Sequence, residues 1–171
     1  MGKWDNLAEK ETIARTISAL KANGINAQVA QSGEEAKKLV LGIIPEGSEV
    51  MTMTSTTMDQ IGISKTLNEG GKYRPVRAKL MDKAIAASDK KKFGGGPNFA
   101  TGSVHAVTED GKLVVVSATG SQLGAYAYGA GKVIWVVSTA KIVKNLDDAM
   151  SRIEEYVLPL ESERARKAYG A

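Results

Sequence analysis

The stretch that decides the fold is FATGSVHAVTEDGKLVVVSATGSQLGAYAYGAGKVIWVVSTAK, residues 99–141. It contains two apolar runs typical of buried strands, at 113–116 and 133–137. Small residues beside a strand end let backbone N–H groups approach a ligand closely, and ligands of α/β proteins bind at the carboxyl ends of strands. The stretch therefore predicts a binding site in an α/β sheet, formed by three clusters of small and polar residues at 101–103, 119–122 and 138–141.

Helical and strand-like patterns alternate over most of the remaining chain, which predicts an α/β fold. Residues 32–35 form a capping-box pattern before a helix, and a strand is expected at 49–53. We also predict a strand over 25–30, INAQVA, from its loose alternation of apolar and polar residues. A final helix is expected to begin after Asn145 and to end at Pro159.

A turn signal, TEDG at 108–111, lies between two apolar segments, and its Asp-Gly pair favours a tight turn. Such a turn implies one antiparallel strand pair in an otherwise parallel sheet. The predicted fold is therefore α/β: a mainly parallel, Rossmann-like sheet with one antiparallel pair and helices on both faces. We predict one domain over 1–171, with an N-terminal helix at 4–22 and a C-terminal tail at 159–171 as peripheral elements.

The composition excludes several kinds of chemistry. The chain has no cysteine and a single histidine, His105, so it cannot carry disulfides, cysteine nucleophiles, cysteine-ligated iron–sulfur clusters or multi-histidine metal sites. The run at 90–92, three lysines without interleaved aromatics, favours a solvated segment over a nucleic-acid contact. No apolar stretch approaches the roughly 20 residues that span a bilayer. The N-terminus lacks the apolar core of a signal peptide. We expect a cytoplasmic protein that contacts neither membrane nor nucleic acid.

Four hydroxyl residues follow the strand predicted at 49–53. They either cap the next helix or, with the free N–H groups of the helix start, bind an anion. Both interpretations stay open, because one cap does not need all four residues, Thr54, Ser55, Thr56 and Thr57. Arg74 and Arg77 could reach a phosphate or a carboxylate, although surface solubility is the simpler interpretation for both.

Three further residues are candidates for chemistry. Lys141, at a predicted strand end, would contact a phosphate or a carboxylate, or would face solvent. Glu109 is a second candidate, although a carboxylate in a turn is more often a turn residue. His105 could be a general base, but a single histidine beside a strand is more often structural.

The ordered set of motifs resembles the small LUD (lactate utilisation) domain proteins. The similarity includes STTMDQIG at 55–62 and continues through the predicted helix at 145–156. It is closest in three segments: TGSVHAVTEDG at 101–111, SATGSQ at 117–122 and KVIWVVSTAKIVK at 132–144. The resemblance implies the fold of a superfamily that contains ribose-5-phosphate isomerases, glucosamine-6-phosphate deaminases and CoA transferases.

The superfamily resemblance also implies which residues bind a ligand. In the isomerases a Thr-Gly-Ser-Thr loop binds the sugar phosphate, and TSTT at 54–57 is similar to that loop. The carboxylates of the isomerases are absent here, since 101–104 contains no aspartate and 122–128 no glutamate. Binding is therefore better supported than catalysis. Besides 54–57, we expect contacts from two of the clusters of small and polar residues, at Thr101, Gly102, Ser103, Thr119, Gly120, Ser121 and Gln122.

The LUD resemblance implies lactate oxidation to pyruvate together with iron–sulfur partner proteins. Because the chain has no cluster-binding cysteine, we expect an accessory or ligand-binding subunit that binds a small anionic metabolite and carries no cofactor. The chain could also form a homodimer. The alternative function is a stand-alone enzyme that acts on a sugar phosphate or an acyl-CoA and uses Glu109 or Lys141 as its catalytic residue.

Overall fold

The computed structural model describes residues 2–170, and their contacts separate them into two units. Unit 1 contains residues 2–29, 104–116 and 137–170, and unit 2 contains Ala30–Ser103 and Ser117–Val136. The single domain expected over 1–171 stays a prediction.

Helices and strands alternate along most of the described chain. The helices are α1 (Lys10–Ala22), α2 (Gly33–Ile43), α3 (Thr56–Gln60), α4 (Ile63–Glu69), α5 (Val76–Met81), α6 (Ala87–Gly95), α7 (Leu146–Arg152) and α8 (Leu158–Tyr169). The strands are β1 (Glu49–Thr52), β2 (Arg74–Pro75), β3 (Phe99–Gly102), β4 (Ala106–Thr108), β5 (Leu113–Val114), β6 (Lys132–Trp135) and β7 (Ile142–Val143). Shorter helical turns are π-helical at Ala125–Gly129 and Ile153–Val157 and 3₁₀-helical at Thr139–Lys141.

Unit 2 is built on a four-stranded parallel sheet in the order β2-β1-β3-β6. The register pairs Thr52 with Thr101, and Gly102 with Trp135. Because all strands run the same way, the carboxyl ends of β1, β3 and β6 lie along one edge of the sheet. This edge is where the sequence predicts a binding site.

Each face of this sheet is covered by helices. Side chains of a strand alternate between faces. Accordingly, Val50 packs with Met58, Ile63 and Leu67 of α3 and α4. The neighbouring Met51 packs on the other face, in a cluster that contains Val76 and Ala125 with Leu80 and Phe93 beside them. The predicted parallel sheet with helices on both faces is thus confirmed.

Unit 1 contains a smaller, mixed sheet in the order β5-β4-β7. β4 pairs antiparallel with β5 and parallel with β7. The turn between β4 and β5 closes at Gly111, whose φ of +84° lies in the left-handed region that favours glycine. The predicted antiparallel pair and its Asp-Gly turn are confirmed, and the pair belongs to this second sheet.

Ser32 and Asn145 cap the helices that the sequence predicts after them. Ser32 Oγ accepts a hydrogen bond from Glu35 N at 3.1 Å, and Asn145 Oδ1 accepts one from Asp148 N at 2.9 Å. Each cap satisfies an amide that has no partner within its own helix. The first turns of α2 and α7 are thereby fixed by the local sequence.

Two sequence-based expectations are wrong. Residues 25–30 form no strand; they pair with none of the described strands, and Val29 is 43% exposed. The final helix does not end at Pro159, because α8 begins at Leu158 and continues to Tyr169. The π-helical turn Ile153–Val157 comes directly before it, and Val157 and Leu158 keep helical backbone angles, so the helical backbone continues through Pro159.

Across residues 2–170, none of the helices combines the length and the apolar character needed to cross a membrane.

We expect Gly102→Ala to destabilise unit 2. A Cβ atom at position 102 would lie 1.8 Å from the Tyr126 hydroxyl and 3.0 Å from Cβ of Met53. Tyr126 packs edge-on against Trp135, with ring centroids 5.6 Å apart, so it has little room to move. Overpacking of this kind costs about 1–3 kcal/mol of unfolding free energy, measurable by urea denaturation.

The matched control is Gly42→Ala in α2, where an added Cβ would meet no atom within 4 Å. Because alanine favours a helix over glycine, this change should raise the unfolding free energy by about 0.5–1 kcal/mol. Equal stability of the two variants would contradict the close packing of Tyr126 on Gly102.

Candidate functional site

Two open clefts of unit 2 meet at the carboxyl end of β1. Both are lined by Thr52, Met53 and Thr54, and by Arg77 of α5. The first, here named the mixed-charge cleft, has a volume of about 460 Å³, and the second, the cationic cleft, about 610 Å³. Both volumes fall in the range typical of small-molecule sites.

The cationic cleft brings three basic side chains together with a polar loop. Arg77 comes from α5, and Lys90 and Lys91 come from α6. The loop that follows Ser117 contributes four residues, Thr119, Gly120, Ser121 and Gln122. Met51 and Leu80 supply apolar surface. No acidic side chain is among the described residues that line this cleft. Its charge is therefore of one sign.

The positive charges of this cleft are not neutralised by neighbouring side chains. Within residues 2–170, Arg77, Lys90 and Lys91 form no ion pair. Lys92, the next lysine of the same run, differs, because its Nζ lies 3.0 Å from Oδ1 of Asp89. Unpaired cations in a cleft attract an anion more strongly than the same charges on an open surface.

Arg77 is held at the end of β1 by long hydrogen bonds. Its Nη1 donates to the Thr52 carbonyl at 3.3 Å, and its Nη2 donates to Thr54 Oγ1 at 3.4 Å. A guanidinium has five N–H donors in a planar fork that matches a carboxylate or a phosphate. Arg77 is thus positioned by the sheet and retains donors for a ligand.

The loop at 119–122 is shaped by its own hydroxyl groups. Gly120 has a φ of +68°, and its amide donates to Ser117 Oγ at 3.1 Å. Thr119 Oγ1 donates to Ser121 Oγ at 3.0 Å and accepts from the Ser121 amide at 3.4 Å. The Ser121 hydroxyl keeps its own proton for donation to an anion.

The hydroxyl residues at 54–57 have separate environments. Thr54 lines both clefts and is exposed. Ser55 is buried, and its Oγ caps α3 by accepting from Met58 N at 3.3 Å, so the capping interpretation applies to it. Thr56 and Thr57 begin α3 and line neither cleft.

The residues at 101–103 lie at the end of β3. Thr101 is fully buried between β1 and β6, and its Oγ1 has no hydrogen-bond partner among the described residues. Gly102 is buried, and because it has no side chain, the Tyr126 hydroxyl occupies the space where a Cβ atom would lie. Burial raises the pKa of Tyr126, while its contact with the Ser103 backbone acts in the opposite direction. Ligand contacts by these three residues stay a prediction.

Glu109 and Lys141 lie in unit 1, and neither lines the two clefts of unit 2. The carboxylate of Glu109 forms an ion pair with Arg15 of α1, with Oε2 2.9 Å from Nη2. Its amide donates to the Val143 carbonyl of β7 at 2.9 Å. These contacts connect Glu109 to α1 and β7, and its catalytic role stays a prediction.

Lys141 belongs to a partly buried basic group around the start of β4. Its Nζ donates to the Val104 carbonyl at 3.0 Å, and Nη1 of the buried Arg152 donates to the His105 carbonyl at 2.8 Å. Burial, and next the charge of Arg152, lowers the pKa of Lys141 to about 8.

His105 has a structural contact of its own in this group. Its Nδ1 accepts a hydrogen bond from the Val116 amide at 3.1 Å. Burial lowers the pKa of His105, and the positive charges of Lys141 and Arg152 lower it further. The ring is therefore neutral at pH 7 with its proton on Nε2, which agrees with the structural interpretation.

Sequence reasoning named Arg77 as a possible anion contact but favoured the solvated surface for it, and it assigned Lys90 and Lys91 to a solvated segment. The structure brings all three into the lining of one cleft. The available signal was the Lys90-Lys91 pair on a helix and an arginine shortly after a strand. Neither feature indicates a common cleft unless β1, α5 and α6 are already placed in space. Among the described residues, no group of three or more histidine, aspartate or glutamate side chains is placed to hold a metal ion.

We expect Lys141 to make the stability of the fold depend on pH. Its pKa of about 8 in the folded chain lies below the 10.5 of an exposed lysine, so the unfolded chain binds more protons between these values. The free-energy cost of burying the charged ammonium group is complete below about pH 8, and it disappears as the pH rises toward 10.5. The stability of the wild type relative to Lys141→Met should therefore increase over this window.

Urea unfolding at pH 7.5 and pH 10 of both proteins, with Lys92→Met as the exposed control, measures this difference. A constant gap between the wild type and Lys141→Met at the two pH values would show that the ammonium group is not desolvated.

Comparison with known proteins supports the family suggested by the motifs. The family model for the LUD domain matches residues 13–170, which is nearly the whole chain. No curated protein and no solved structure matches the chain. The match spans the elements of both units, from α1 to α8, including β1 and the 119–122 loop that line the cationic cleft. The chain therefore belongs to the LUD domain family.

Proposed function

We propose that this protein binds a small anionic metabolite in the cationic cleft and acts as an accessory or ligand-binding subunit in organic-acid utilisation. The LUD family, whose name implies lactate utilisation, provides the metabolic setting. One observation carries the proposal: Arg77, Lys90 and Lys91 line a single cleft whose described lining includes no acidic side chain.

The cleft offers each kind of contact that an organic anion needs. The Arg77 fork can bind a carboxylate through two parallel hydrogen bonds, and the two lysines add charge without a fixed geometry. Ser121 supplies a hydroxyl donor, and Met51 and Leu80 supply apolar surface for a carbon skeleton. A carboxylate bound here would neutralise charges that the protein leaves unpaired.

The accessory role follows from the groups that the chain lacks. An iron–sulfur cluster needs cysteine ligands, or histidine in part, and this chain has no cysteine and one histidine. The cluster of an iron–sulfur partner therefore does not fit this chain and would be held by other proteins. The chain's own contribution would be to bind and orient the organic acid.

The charge of the cleft also favours a second candidate function. Three cations exceed what a monoanion such as lactate can neutralise, and the cleft volume of about 610 Å³ suits a larger molecule. A stand-alone enzyme acting on a sugar phosphate or an acyl-CoA would use both features. The phosphate would then occupy the space between Arg77 and the 119–122 loop.

We expect the double variant Lys90→Gln/Lys91→Gln to bind the anionic ligand roughly tenfold more weakly, because two unpaired charges are removed from the cleft. Isothermal titration calorimetry at low salt, with lactate, pyruvate, sugar phosphates and CoA esters, measures the change. Binding by the wild type should also weaken as salt is added.

The control is Lys92→Gln, which removes a lysine of the same run that is paired with Asp89 and does not line the cleft. It should bind as the wild type does. Binding of lactate or pyruvate supports the first function, and binding of phosphate-bearing compounds alone supports the second. Equal binding by the double variant and the control would refute the cationic cleft as the site.

A further inference from the structure

The mixed-charge cleft carries unpaired charges of both signs. Its lining includes two carboxylates, from Asp59 of α3 and Glu69 of α4, and two cations, from Lys65 of α4 and Arg77 of α5. Over residues 2–170, none of these four side chains forms an ion pair, although opposite charges line the same cleft. The charges are therefore separated and available to a molecule that lies between them.

The inner wall of this cleft is polar, and part of its hydrogen-bonding capacity is unused. Thr52 Oγ1 donates to Asn68 Oδ1 at 2.9 Å, which leaves the amide N–H groups of Asn68 as donors. Ser64 also lines the cleft, and its buried Oγ has no hydrogen-bond partner among the described residues. Buried hydroxyls in native proteins are nearly always paired with protein, water or ligand.

Thr101 adds a second buried hydroxyl next to this wall. It is the in-register neighbour of Thr52 on β3, so its side chain points to the same face of the sheet. Its exposure is 0%, and its Oγ1 likewise has no partner among the described residues. Unused hydrogen-bonding capacity thus lies at the end of β1 and β3, on the face that α4 covers.

From this arrangement we infer that the mixed-charge cleft binds a zwitterion of the amino-acid type. The ammonium group of such a ligand would lie toward Asp59 and Glu69, and its carboxylate toward Lys65 and Arg77. A monoanion would leave both carboxylates of the cleft unpaired and would be repelled by them, and a simple amine would leave the two cations unpaired. The volume of about 460 Å³ accommodates a small organic molecule.

The inference does not rest on the function proposed for the cationic cleft. Arg77 and the end of β1 are shared by the two clefts, but Asp59, Ser64, Lys65, Asn68 and Glu69 line the mixed-charge cleft and not the cationic one. Conversely, Lys90 and Lys91 line the cationic cleft and not this one. Variants at the two sets of residues therefore separate the two proposals.

The test starts with a thermal-shift screen of the full chain against the twenty standard amino acids, followed by calorimetry with the compound that shifts most. That amino acid is compared with its 2-hydroxy acid, which lacks the ammonium group, and with its decarboxylated amine. We expect both analogues to bind at least tenfold more weakly than the amino acid.

The variants Asp59→Asn and Glu69→Gln remove the anionic side of the cleft and keep its shape. Both side chains are exposed, so folding should be retained, as circular dichroism would verify. Each should weaken amino-acid binding at least tenfold, whereas Lys90→Gln/Lys91→Gln should leave it unchanged. The inference is overturned if no amino acid binds, if the hydroxy acid binds equally well, or if the two acidic-site variants bind like the wild type.

Discussion

The in-register parallel pairing of β1, β3 and β6 is the constraint on which unit 2 depends. It places neighbouring side chains alternately in two cores, with Val50 on one face and Met51 on the other. It also brings the carboxyl ends of these strands to one edge. Arg77 is bonded to the last carbonyl of β1, so both clefts take their shape from the position of this strand end.

Besides the fold class, the features predicted correctly from the sequence are those that neighbouring residues determine. The Asp-Gly turn before β5 and the caps at Ser32 and Asn145 need only a few adjacent side chains. The strand expected over 25–30 failed because a strand requires a partner, and its pattern contains no information about one. Pro159 was expected to end a helix, but the helical backbone continues through it, from the π-helical turn Ile153–Val157 into α8.

The candidate site was predictable only in part, because a charged residue in a sequence does not reveal its partners. Lys141 and Glu109 were named as possible catalytic groups, and the structure shows that they contact the Val104 carbonyl and Arg15. Their catalytic role stays a prediction. Lys90 and Lys91 were interpreted as solvated, and they line an open cleft whose described lining includes no carboxylate. A charged side chain that stabilises the fold differs from one that is available to a ligand only in its tertiary contacts. For Arg77, Lys90 and Lys91, those contacts depend on how β1, α5 and α6 are placed.

The most direct test of the central claim is a titration of the ¹⁵N-labelled full chain with lactate and with inorganic phosphate, followed by amide chemical shifts. The account predicts that the amides of residues 119–122 and the Nε–H of Arg77 shift and saturate together, since they line one cleft. Saturable shifts at Glu109 and Lys141, with the 119–122 loop unaffected, would contradict it and would move the binding site to unit 1.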